Sequence, residues 1–113
     1  MHEYAITETI LEIVEAKATE AGIRRIDAIK VVIGELSNFV DSSIEFYFDE
    51  LSRGTVAEGA TLVFESLEAS ASCYACGTGF RPSNAFSACP ECGSRLFEVV
   101  QGQELYVDSI DVD

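Results

Sequence analysis

Four cysteines carry the most legible chemistry in this chain. Cys73-x2-Cys76 and Cys89-x2-Cys92 are separated by twelve residues, and each pair runs directly into a glycine, Gly77 and Gly93. Two cysteines three apart chelate one ion from a tight turn, while the glycine lets the backbone reverse and aim amide groups at sulfur. Two such turns complete a tetrahedron of thiolates at about 2.3 Å from a zinc ion. Disulfides would suit a secreted chain, and redox dithiols usually open a thioredoxin-like helix; neither context accompanies these cysteines. Iron takes the same four sulfurs, but zinc is the usual occupant inside cells. A closed site of this kind has no position for water or substrate, so the expected ion is structural and supplies folding energy. The lobe around it offers only Tyr74, Phe80, Phe86, Leu96 and Phe97 as a core of its own.

The single histidine, His2, directly follows Met1. A terminal amine, the amide nitrogen of residue 2 and the imidazole of residue 2 can close adjoining chelate rings, a planar nitrogen set suited to Ni(II) or Cu(II). Glu3 adds a carboxylate or a backbone donor. On its own such a residue is as readily an exposed side chain at a frayed end. Asp41 could be a further donor, although its place near a helix start favours capping.

The elements that must position these groups follow from periodicity. Ile6, Ile10, Ile13, Val14 and Lys17 recur at helical spacing, with Thr9 and Glu12 as a capping box and Gly22 as a stop, so a first helix runs to about Ala21. Ile26 to Ile33 reads as a β-branched strand that Gly34-Glu35-Leu36-Ser37-Asn38 breaks. A second helix begins near Asp41 or Ser42, with Ser42 and Glu45 as a capping box, an apolar face of Ile44, Tyr47, Phe48 and Leu51, and Gly54 at its end. Thr61 to Leu67 and Glu104 to Ile110 read as further strands. The expected fold is α+β: a small three-stranded sheet with two helices packed on it, plus an inserted zinc-ribbon lobe. Residues 1–69 together with 103–113 would form one domain, and residues 70–102 the zinc-binding ribbon.

Composition narrows the function. The 113 residues carry 20 acidic against 7 basic side chains, a net charge of −13, which disfavours nucleic acid and anionic membranes as partners. The chain shows no signal peptide and no apolar run of the ~18 residues that a membrane helix needs, which places it in the cytoplasm. An enzyme is disfavoured: no histidine stands ready to pair with a nucleophile, and there is neither a phosphate-binding glycine loop nor an open metal site. Glu8, Glu12, Glu15 and Glu20 read as the solvated side of the first helix. A zinc-ribbon adaptor that binds protein and carries no second metal is the alternative to a metal carrier.

The combined pattern is more specific than any one motif. Met1-His2-Glu3 leading into a helix, Gly34-Glu35-Leu36-Ser37 after the first strand, the cysteine turns, and Gly102-Gln103-Glu104-Leu105 opening the last strand resemble, from end to end, the HypA family of nickel metallochaperones. The resemblance implies delivery of nickel during maturation of the large subunit of [NiFe]-hydrogenase, in company with a HypB-type GTPase. It implies Met1, His2 and Glu3 as nickel ligands and Cys73, Cys76, Cys89 and Cys92 as zinc ligands. Two departures stand out. Val40-Asp41-Ser42 occupies a stretch where family members often have a proline-containing turn, and no histidine flanks the cysteines.

Overall fold

The fold was obtained as a computed structural model that describes residues 2–84 and 86–112. It is α+β, with helix α1 (His2–Ala21), strand β1 (Ile26–Gly34), helix α2 (Asp41–Leu51), then β2 (Thr61–Leu67), β3 (Ser70–Cys73), β4 (Gly79–Phe80), β5 (Phe97–Gln101) and β6 (Leu105–Val112). These strands form two three-stranded sheets, ordered β2-β1-β6 and β4-β3-β5. The chain divides into two compact units. One contains the helices with residues up to Val32, Phe39–Glu65 and Tyr106–Asp113; the other contains Ile33–Asn38 and Ser66–Leu105. Among the described residues no helix is long and apolar enough to cross a membrane.

In the helical unit, Thr7, Ile10, Leu11, Val14 and Ala18 form the buried stripe of α1 at helical spacing. Ile44 and Phe48 from α2 and Ile26, Ile29 and Val31 from β1 complete the core, all at 1 % exposure or less. The expected α1 face differs in part. Ile13 is 41 % exposed and Lys17 is exposed, because both lie to one side of that stripe.

Both expected capping boxes fail, and for the same reason. α1 already starts at His2, so Thr9 lies inside it and its hydroxyl donates to the Ala5 carbonyl at 3.2 Å. At α2 the N-cap residue is Val40, which has no side chain able to cap; instead Asp41 Oδ1 accepts the Ser42 N–H at 2.8 Å. A sequence match to the box says that two side chains can bond two amides, not that the helix begins there.

In the cysteine unit, β3 pairs antiparallel with both β4 and β5, matching Ala71 to Phe80 and Cys73 to Phe97. Phe80 and Phe97 meet edge to face at 5.3 Å. The remainder of the expected lobe core does not form: Tyr74, Leu96 and Phe86 are 70 %, 72 % and 80 % exposed. Buried positions here are small, Ala69, Ala71, Cys73, Pro82 and Cys89.

A backbone joint explains two of the motifs. A Cβ on Gly34 would stand 2.2 Å from the Gly102 carbonyl carbon, and one on Gly102 would stand 2.6 Å from Ala69 Cα. Gly34 N–H donates to Glu104 O and Leu36 N–H to Gly102 O, both at 2.7 Å. Only glycine permits three backbones to approach this closely.

Candidate metal centre

Each cysteine pair sits on the same backbone turn. Gly77 N–H donates to Cys73 O at 2.9 Å and Cys73 N–H to Thr78 O at 3.0 Å. In the second turn Gly93 N–H donates to Cys89 O at 2.9 Å and Cys89 N–H to Ser94 O at 2.8 Å. Gly77 and Gly93 both have φ of 75°, a left-handed conformation that L side chains resist. The glycines thus close each loop and turn the second cysteine of each pair back toward the first.

The two turns face one another across the unit. All four sulfurs lie within 4.8 Å of each other, with Cys73 Sγ to Cys92 Sγ and Cys76 Sγ to Cys89 Sγ at 3.6 Å. A tetrahedron with bonds of about 2.3 Å has edges of ~3.8 Å, so the donor set and its spacing fit a four-coordinate thiophilic ion such as zinc. Cys73 and Cys89 are buried, while Cys76 and Cys92 face solvent.

The acidities of these thiols show why a cation belongs among them. The Cys76 backbone N–H is the main influence lowering Cys73, and the Thr78 hydroxyl, 3.1 Å from Cys76 Sγ, brings Cys76 down to about 6. Cys92 goes the other way. The Ser94 N–H favours its thiolate, but the neighbouring Cys73, burial and the other two thiols push it up to about 12. Once some of the four ionise, the last cannot lose its proton beside them without a positive charge to offset the repulsion. The Thr78 hydroxyl is the contributor that cysteine spacing alone does not reveal. Its signal is the hydroxyl residue after each glycine, Gly77-Thr78 and Gly93-Ser94.

The amino-terminal residues occupy the helical unit. Met1 and the His2 side chain lie outside the described residues; the His2 backbone is the first residue of α1. Glu3 Oε2 accepts the Val40 N–H at 3.2 Å, which ties the first turn of α1 to the N-cap of α2. The Glu3 carbonyl accepts the Thr7 hydroxyl. Tyr4 packs edge to face on Tyr47 with ring centres 5.3 Å apart. Asp41 is exposed and its carboxylate caps the Ser42 amide.

Comparison with known proteins places this arrangement in context. The family described as hydrogenase/urease nickel incorporation, metallochaperone, hypA, matches residues 1–112. The hydrogenase maturation factor HypA of Dehalococcoides mccartyi is 42 % identical over all of this chain and 95 % of its own length. That of Geobacter metallireducens is 41 % identical over the full length of both. A solution structure of the Ni metallochaperone HypA from Helicobacter pylori, 23 % identical, superposes with a TM-score of 0.72 over 97 % of this chain and 96 % of that one, a likeness of fold. With a full-length family match and relatives above 40 % identity, the chain belongs to the HypA family of nickel-incorporation metallochaperones, which act in hydrogenase maturation.

Proposed function

We propose that this protein binds Ni(II) through Met1, His2 and Glu3 and delivers it to the large subunit of [NiFe]-hydrogenase, working with a HypB-type GTPase in the cytoplasm. In this reading Cys73, Cys76, Cys89 and Cys92 hold a resident zinc ion that folds their unit. The nickel task falls to residues 1–69 with 103–113, and the zinc task to residues 70–102. The protein is then a carrier and its reaction is ligand exchange.

The observation that carries this reading is the start of α1 at His2. The first amides of a helix have no carbonyl one turn back, so the His2 nitrogen can lose its proton to a metal without breaking the helix ladder. The Glu3 carboxylate is already bonded to Val40 N–H, which favours the backbone of Glu3 as the donor and leaves its side chain as an anchor. An amine, an amide nitrogen and an imidazole in one plane suit Ni(II). Such a site at a chain end can be opened by a partner's ligands one bond at a time, whereas the sulfur cage releases its ion only when its turns come apart.

The test is nickel titration of untagged protein with zinc quantified in parallel. His2→Ala, or residues added before Met1, should abolish uptake of one equivalent of nickel while zinc content and fold persist. Unchanged nickel affinity in either variant would falsify the terminal site. Amine and imidazole have ordinary pKa values of about 7.7 to 8.0 and 6.5, and protons compete for both. Nickel affinity should therefore fall as the pH is lowered through that range.

A further inference from the structure

Next to the first turn of α1 the helical unit exposes a run of apolar surface that its own core does not use. Glu3 bonds to the backbone of Val40, Tyr4 stacks on Tyr47, and Tyr47 meets Phe46 edge to face at 5.5 Å, so contacts link these residues in sequence. Val40 is 48 % exposed, Tyr4 42 % and Phe46 63 %. Ile44 and Phe48 anchor α2 in the core, and Phe46, midway between them, faces away from it. Single exposed apolar residues are commonplace; a linked aromatic group at one end of a unit is not.

The charge around this patch has one sign. Phe46 follows Glu45 and has Asp49 three positions on along α2, both exposed, and the helix contains no basic residue. Arg53, beyond the helix end, stands 3.9 Å from Glu50. A second copy of this chain would bring like charges together, and an anionic membrane would be repelled. The complementary occupant is a protein surface with an apolar cleft edged by Lys and Arg, in which aromatic side chains supply affinity and the charged rim supplies steering.

We infer that Tyr4, Val40, Phe46 and Tyr47 form the docking surface for the protein that receives nickel, which binds it through an apolar, basic-rimmed cleft. This rests on the nickel reading above in one respect: ligand exchange at the terminus requires the recipient's donors within bonding reach, and this patch begins one residue beyond Glu3. Docking here holds the recipient while the metal changes hands.

The experiment measures binding of the nickel-free protein to purified hydrogenase large-subunit precursor, with nickel uptake titrated separately for each variant. Phe46→Ala should weaken the complex by about 10-fold or more, with melting temperature and nickel uptake unchanged. Glu45→Gln with Asp49→Asn should slow association several-fold and flatten its dependence on salt. Wild-type affinity in both variants, or no binding by the wild type, would overturn the docking surface whatever the nickel titration shows. A wild type that binds precursor through Phe46 but takes up no nickel would remove the nickel reading and leave the surface standing.

Discussion

Glu35 shows how much one side chain can organise outside a reactive site. Its Oε1 accepts the Ala69 N–H at 2.7 Å and Arg81 Nε at 3.0 Å, while Oε2 takes Arg81 Nη2 at 2.7 Å. Arg81 stands 3.8 Å from Glu68 as well. The guanidinium first, and then the Ala69 amide, hold the Glu35 carboxyl down at about 2, against its ordinary 4.5. Both partners keep some contact with water, so screening limits the gain although the geometry is two-pronged. On acidification the unfolded chain takes up this proton before the folded one does. The stabilisation is therefore complete above about pH 4.5 and is lost as the pH falls through 2. Arg81→Met should be less stable than wild type at neutral pH, and the gap, followed by urea denaturation, should narrow steadily below pH 4.5. A gap that did not change with pH would show that Arg81 acts by packing alone.

At the scale of elements, the glycine joint is the more demanding feature. Gly34→Ala would drive a methyl into the Gly102 carbonyl, where the obstacle is backbone and cannot rotate aside. Such overpacking should cost ~3 kcal/mol or more, readable as a lower denaturation midpoint, whereas Gly59→Ala, with open space around it, should cost only the strain of its positive φ. Sequence made the helices and the three strands of the first sheet legible, because Ile29, Val31, Ile44 and Phe48 repeat with the period of their element. It made the sulfur cluster legible too, since cysteine spacing and the following glycines dictate a local turn. The joint was not legible, because Gly34 reads as the end of a strand and nothing local says which backbone will lie 2.2 Å from an added Cβ. Nor were β3, β4 and β5 as strands, whose runs of four, two and five residues are too short for alternation to register. Tyr74, Phe86 and Leu96 misled for a related reason: hydrophobicity marks candidates for a core, but a unit this small closes over only one aromatic pair.

For the whole molecule, these two units should answer metal removal differently. The helical unit has a continuous apolar core, while the other rests on small buried residues, one aromatic pair and its four sulfurs. Structural zinc contributes an apparent ~10–16 kcal/mol to comparable peptides. A strong chelator should therefore abolish amide dispersion for Ser66–Leu105 while the helical signal of α1 and α2 persists, and adding zinc back should restore the lost resonances. Simultaneous collapse of both would show that the helical core has no independent stability. The crowded meeting of Gly34, Gly102 and Ala69 bears also on how such a chain can diversify. Neither glycine can acquire a side chain until a facing main chain retreats, so drift there needs coordinated changes that single substitutions do not supply. Insertions and novel surface chemistry are channelled instead to segments such as Ser83–Ser87, where the bonds come from Ser87 Oγ and Asn84 Oδ1 and can be redrawn one residue at a time.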